Sequence, residues 1–344
     1  MRKRAIALAL SMAILALAGC GGGKAEKKVL YIYNWTYYIP DDVVADFEKE
    51  FSCEVVYDVF SSNEDMFAKI KAGGSGYDVV FPGADFVSIM IKEGMLEPLD
   101  HKKIPNLKNL DPSVVSRMSF DPGTKYSVPY FMGATGIVAN KKIVGDFDPS
   151  WNIYERKDLK NKTTLLDDPR ETIGAALKYL GYSVNSVSPD ELAKAEAQIK
   201  KWLGNVLRFD SESFGKGYAT GEYAVVHGWA ENVFLELDDA LKTDAEFFIP
   251  KEGGVAYMDC MAILKGAKNG DLAHAFINFI QRDDIYARIA SYLALPSVNV
   301  PARAKLTEKP NYTEADLARC ELKLDIGESI SLYSDLWKRI RLGD

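Results

Sequence analysis

Five segments that read as strand ends carry carboxylates, aromatic rings or both. Trp35, Thr36, Tyr37 and Tyr38 follow an apolar run that starts at Leu30, and Asp85 follows "YDVVFPG". Asp167 and Asp168 close "TTLL", with Glu171 three residues beyond Asp168. Trp229 closes "AVVHG", with Glu231 and Asn232 next. In "GGVAYMD", Tyr257 and Asp259 fall on alternate positions, which places both on one face of a strand. Few basic side chains share these places. Carboxylates bind an ammonium group through charge-assisted hydrogen bonds worth about 1.5–3 kcal/mol each. Aromatic faces attract the same cation, by about 2 kcal/mol when it is desolvated, and they also sandwich a methylene chain. A linear aliphatic polyamine needs both: rings along its carbon chain and acids at its nitrogens.

Each piece also has a plainer use. Asp168 and Glu171 suit the first turn of a helix beginning near Pro169, and Asp85 suits a helix N-cap. Asp259 could serve as a buried, hydrogen-bonded carboxylate, and Tyr31 and Tyr33 read as core or surface residues of a strand. The case rests on five loops converging.

The elements that must position these groups alternate closely. "VLYIYNW", "CEVVYDVF" and "YDVVFPG" read as strands, separated by helices over "DDVVADFEKEF" and "NEDMFAKIKAGG" and followed by one over "ADFVSIMIKEG". Such alternation builds a parallel sheet covered on both faces. "YSVPYFMGATGIVANKKI" is a longer extended segment. A second series begins at residues 163–168, with helices over 169–181, 189–203 and 230–242, and strands at "AVVHGW" and "AEFFIP". The extended "GGVAYMDCMAIL" leads into one long helix over 271–293, and an amphipathic helix closes the chain at "ISLYSDLWKRIRL". Two α/β lobes follow from this pattern. In open α/β sheets ligands sit outside the carboxyl ends of the strands.

The N-terminus reads as an export signal. "MRKR" is a basic leader, "AIALALSMAILALA" is apolar but short for a spanning helix, and Leu17-Ala18-Gly19-Cys20 resembles a bacterial lipobox. Residues 1–19 are read as signal peptide, Cys20 as the lipidated residue and 20–26 as a flexible, Gly-rich tether. Loss of Arg2, Lys3 and Arg4 with the signal takes the net charge from −7 to −10. That balance argues against a nucleic-acid partner and favours a cationic one. Cys53, Cys260 and Cys320 form no CxxC and read as small buried residues.

With these residues in view, the chain resembles the spermidine/putrescine-binding proteins of bacterial polyamine ABC transporters. The likeness runs through "YNWTYYIP", "YDVVFPG", "GATGI", "LLDDPRE", "LGYS", "GWAENVF", "IPKEGGVAYMD" and "INFI", in that order. It implies a two-lobe periplasmic-binding-protein fold of type II, with the ligand cleft between lobes that close by hinge motion. Residues 27–136 and 258–303 would form the N-terminal lobe, and 137–257 and 304–344 the C-terminal one. The implied aromatic box is Trp35, Tyr38, Trp229 and Tyr257. The implied acids are Asp168, Glu171 and Asp259, with Thr36 as a polar contact. Three departures stand out: Tyr37 where the family usually has an acid, Lys323 where spermidine-preferring relatives have glutamine, and Leu295 where a tyrosine is common. Losing an acid and gaining a cation removes partners for a third nitrogen, although Asp85 could supply a charge. Together with "GWAENVF", this favours putrescine over spermidine.

The expectation is therefore a lipid-anchored, monomeric binding protein that serves ABC permease subunits, without cofactor or metal. The alternatives are a binding protein of the same fold for a thiamine-like cation, ferric iron or a sugar, or an enzyme on that scaffold. His101, His227 and His274 show no catalytic spacing. Cys260 should face the core, opposite Asp259, so catalysis is not expected.

Overall fold

A computed structural model describes residues 28–73 and 76–342. The signal peptide, Cys20 and the tether lie outside the described residues. Among those described, no helix is long and apolar enough to cross a membrane.

Among the described residues, eleven strands form two mixed sheets. They are β1 (Lys28–Trp35), β2 (Cys53–Phe60), β3 (Val79–Val80), β4 (Ser127–Ala134), β5 (Gly136–Asn140), β6 (Thr163–Leu165), β7 (Val206–Phe209), β8 (Val225–Gly228), β9 (Ala245–Phe248), β10 (Val255–Ile263) and β11 (Glu321–Leu322). The first sheet runs β11-β10-β3-β1-β2, with β4 also paired to β10; the second runs β7-β6-β8-β5-β9. As the alternation predicts, β1 pairs in parallel with β2 and β3, and β6 with β7 and β8. The antiparallel pairings are β10 with β3 and β4 in the first sheet, and β5 with β8 and β9 in the second. The fold is a two-lobe α/β structure.

Local sequence explains the elements. Val43 and Phe47, one turn apart, bury the inner face of helix Asp41–Phe51, while Asp41 and Asp42 sit in its first turn, where the helix dipole favours acids. Each sheet has its own core: Phe47, Phe81, Phe131 and Phe276 lie in the first, and Trp151, Trp202 and Tyr154 in the second. A smaller cluster around Phe214, Tyr218 and Tyr223 covers the other face of the second sheet.

Two predicted helices are broken. The one expected over 230–242 divides into Ala230–Phe234 and Asp239–Asp244, because Asp238 caps the second piece by accepting from the Leu241 N–H at 2.8 Å. The one expected over 271–293 divides into Gly270–Ile280 and Asp283–Leu293. The buried Gln281 explains that break. Its backbone carbonyl accepts from the side-chain amides of Asn109 and Asn299, and its own amide donates to the Pro129 carbonyl.

The chain crosses between sheets at Thr135, between β9 and β10, and after β11. The last crossing comes later than expected. The resemblance places residues 304–322 in the second lobe, yet β11 pairs with β10, and Tyr312, Leu317, Cys320 and Leu322 join the first core. Likewise β10 begins at Val255, so Tyr257 belongs to the first sheet. The irregular stretch after Lys305 gave no periodicity from which this could be read.

Candidate functional site

The end of β1 is held from beneath. The Trp35 indole N–H donates to the Phe81 carbonyl at 3.0 Å, and its ring packs against Phe60 with centroids 4.5 Å apart. Thr36 is exposed, and Tyr37, at φ 56°, is 77% exposed. Tyr38 turns back inward. Its phenol donates to Asp259 Oδ2 at 2.8 Å, and its carbonyl accepts from the Tyr130 hydroxyl at 2.6 Å.

Tyr130 reaches that carbonyl because of a bulge. Asp259 pairs with Phe131 and Cys260 with Pro129, which leaves Tyr130 as the extra residue. Asp259 also bridges Gly83, just ahead of helix Ala84–Lys92, whose first turn carries Asp85. Cys260 is fully buried, on the core side as alternation predicts.

Two residues before Asp259, Tyr257 sits opposite Gly133. A Cβ at 133 would overlap the Tyr257 hydroxyl and lie 2.6 Å from that of Tyr312. Glycine is the residue that leaves room for both phenols. The two phenols converge over Gly133, and the Tyr257 phenol lies near the carboxyl of Glu231. Glu231 lies in the first turn of helix Ala230–Phe234, directly after Trp229, so this contact joins the two lobes. Trp229 is half-buried, 6.1 Å from the Phe214 ring.

At the third cluster, Asp168 and Glu171 separate in role. Asp168 caps its helix, accepting from the N–H groups of Arg170 at 2.7 Å and Glu171 at 3.0 Å. The Glu171 side chain does not cap. It is buried, accepting from Thr135 Oγ1 at 2.9 Å and from the Lys323 ammonium at 3.0 Å. Thr135 is the first crossing residue, and Lys323 stands at the start of the last one. Neighbouring Arg170 turns away, donating to the Leu324 carbonyl and the Asn185 side chain.

The electrostatics follow from enclosure. Burial pushes the Asp259 carboxyl up to about 7, against the Tyr38 hydrogen bond and the charge of Lys323, both of which favour ionisation. Burial likewise raises Glu231 to about 7, with Asp259 adding to the rise. Lys323 behaves differently. Burial opposes its charge, but Glu171, Asp168 and Asp85 outweigh burial and hold its pKa above the ordinary range. Burial lifts the Glu171 carboxyl above its usual value despite Lys323.

The structure thus joins Tyr38 to Asp259 directly and pairs Glu171 with Lys323, whose ammonium also feels the charges of Asp168 and Asp85. It leaves Thr36 and Tyr37 facing solvent. Leu295 is buried in the first core. The sequence reading noted Glu231 beside Trp229 but did not count it as a site residue. The signal was present, since Glu231, like Asp85, is the second residue of a helix that follows a strand, and Glu171 lies in the first turn of another. Tyr312 and Thr135 gave no such signal, being placed by tertiary contacts alone.

Two α/β lobes with carboxylates and rings gathered from strand ends, joined by crossings, define a solute receptor. Residues 42–318 match the model of the family described as "Bacterial extracellular solute-binding protein". A spermidine/putrescine-binding periplasmic protein of Salmonella typhimurium is 35% identical over 345 residues, covering 97% of each chain. The putrescine-binding periplasmic protein SpuD of Pseudomonas aeruginosa is 36% identical over 313 residues, covering 86% of this chain and 85% of its own. Among solved structures, the Tp0655 (TpPotD) lipoprotein of Treponema pallidum superposes with a TM-score of 0.89 at 44% identity, over 92% of this chain and all of that one. The spermidine/putrescine ABC transporter substrate-binding protein PotD of Streptococcus pneumoniae gives 0.83 at 31%, over 92% and 99%. The chain belongs to the bacterial extracellular solute-binding proteins, within the spermidine/putrescine-binding group.

Proposed function

We propose that the chain captures a polyamine, putrescine ahead of spermidine, in the cleft between its lobes and delivers it to the permease of an ABC transporter. The relatives' names give the substrate class. The observation that carries the reading is Asp259, a buried carboxyl that meets the Tyr38 phenol, with the half-buried Glu231 of the second lobe close enough to feel its charge. An enclosed carboxyl left without a cation is held near neutrality at a cost, and an arriving ammonium removes that cost. One such acid stands on each lobe, so a ligand with a cation at each end would draw the lobes together. Trp35, Tyr38, Trp229 and Tyr257 would wall the methylene chain, with Thr36, Tyr37, Asp85, Asp168 and Glu171 around them. Cys20 would carry the lipid that holds the receptor on the outer face of the membrane, as a monomer.

Isothermal titration of the mature protein with putrescine and spermidine tests this directly. Binding heat with both, and a tighter fit for putrescine, is expected. Silence with both, alongside a response to a sugar or an amino acid, would remove the polyamine reading. Mass spectrometry of the membrane-extracted protein tests the anchor: an intact N-terminus preceding Cys20 would exclude lipidation there.

A further inference from the structure

The last crossing between the lobes is built unlike the other two. The first passes through Gly136 and the second through Gly253, at φ 88°, and Gly254, residues with no side chain to resist a change of backbone angles. From Cys320 to Ile326 the last crossing has no glycine, and its main chain is hydrogen-bonded along both edges.

One edge belongs to the first lobe. The Glu321 N–H donates to the Gly254 carbonyl at 3.2 Å and the Lys323 N–H to the Ala256 carbonyl at 2.8 Å, which is the register of β11 on β10. The other edge is covered by a side chain of the second lobe. Asn185 donates to the Leu322 carbonyl at 2.9 Å and accepts from the Leu324 N–H at 2.9 Å. These are the donor and the acceptor that a neighbouring strand would offer. The second lobe holds Asn185 in turn. Arg170 donates to its carbonyl oxygen at 2.8 Å, and the Tyr333 hydroxyl lies 3.1 and 2.8 Å from the carbonyls of Val184 and Ser186 on either side of it. Glu321 adds a further tie by accepting from the Val184 N–H at 3.1 Å.

A segment bonded to both lobes cannot slide against either without breaking these bonds. A rotation that keeps them has its axis along the segment. Lys92, at the end of the first-lobe helix Ala84–Lys92, pairs at 2.6 Å with Asp325, just past the crossing, and a link so near the axis survives such a rotation.

Resting on the reading that a ligand draws the lobes together, we propose that Asn185 is a positioning residue. Its amide takes the place of a strand and makes residues 321–324 the fixed pin about which the lobes turn, with the bending left to the other two crossings.

Paired spin labels on the mature protein locate the axis by electron spin resonance. Glu93→Cys with Glu328→Cys flanks the last crossing, and Glu64→Cys with Leu235→Cys joins exposed sites on elements that follow strand ends of the two lobes at the cleft. In the empty protein the cleft pair should give the broader distance distribution. Putrescine should shorten that distance by roughly 5 Å or more and move the flanking pair by no more than about 2 Å, since displacement grows with distance from the axis. Asn185→Ala removes both strand-like bonds and should broaden the flanking pair to the width of the cleft pair, with putrescine leaving about tenfold faster. A purely structural asparagine would lower the melting temperature on substitution and leave both distributions as they were, which overturns the proposal. So does a flanking pair that moves as far as the cleft pair with Asn185 in place, a result that needs no variant at 185 to fold. If putrescine neither bound nor moved either pair, the ligand reading would fall, and the two widths in the empty protein would still decide where the axis lies.

Discussion

Lowering the pH from 8 to 6 should weaken putrescine binding by about two orders of magnitude. Asp259 and Glu231 both stand at about 7 in the empty cleft because burial disfavours their charged forms. Ammonium groups beside them favour the carboxylates, so binding must expel whatever protons they carry. With both near 7, roughly 1.8 protons leave at pH 6, about 1 at pH 7 and about 0.2 at pH 8. Each group costs about a factor of ten in affinity across that window, or about 1.4 kcal/mol. Asp259 raises Glu231, so the two titrate as a pair and the slope belongs to both together. The amines, whose pKa values lie near that of lysine, stay protonated throughout.

Titration calorimetry in two buffers of different ionisation enthalpy, at pH 6, 7 and 8, reads both quantities. Asp259→Asn should halve the pH slope and the proton count, and should cost about 2–5 kcal/mol at pH 8 because a desolvated ammonium loses its counter-charge. The stability of the empty protein should run the other way. A carboxyl raised from 3.8 to about 7 binds more protons folded than unfolded between those values, so its effect on stability worsens as pH rises through that range. For Asp259 the full cost above pH 7 is about 4 kcal/mol, and Asp259→Asn should therefore raise the melting temperature of the empty protein at pH 8. Affinity independent of pH, with no proton exchanged at pH 6, would refute the reasoning outright.

Other substitutions separate the parts of the site. Trp229→Ala should weaken putrescine by about 2–4 kcal/mol, as for a central aromatic anchor, and a calorimetric loss under tenfold would place the cleft elsewhere. Gly133→Ala should cost about 1–3 kcal/mol of stability, since a Cβ there overlaps the Tyr257 and Tyr312 hydroxyls. It should also weaken binding by displacing Tyr257 from Glu231; unchanged denaturation and affinity would mean the phenols move aside freely.

What could be read from the sequence was what local chemistry determines. Strand runs, first-turn acids and aromatic strand ends are written within a few residues of each other, so β1 to β3, their helices and the positions of Trp35, Asp85, Asp168, Trp229 and Asp259 were legible. The breaks at Asp238 and Gln281 were less so. At Gln281 the helix stops because amides of Asn109 and Asn299, both distant in sequence, take its carbonyl. The route of residues 304–322 depends on β11 adding to β10, a pairing of two residues with no periodicity to announce it.

The site divides along the same line. Asp168 and Glu171 look alike in sequence, two acids at the start of one helix, and either could cap it. Geometry separates them because one capping position exists: Asp168 takes it, and Glu171 is turned inward to a threonine at one crossing and a lysine at another. Sequence alone could mark Lys323 as an unusual cation near the cleft, but not name the carboxylate that it neutralises. The crossings thus bring together what the strands alone do not, since a residue of the last one reaches an acid on the second lobe beside a residue of the first.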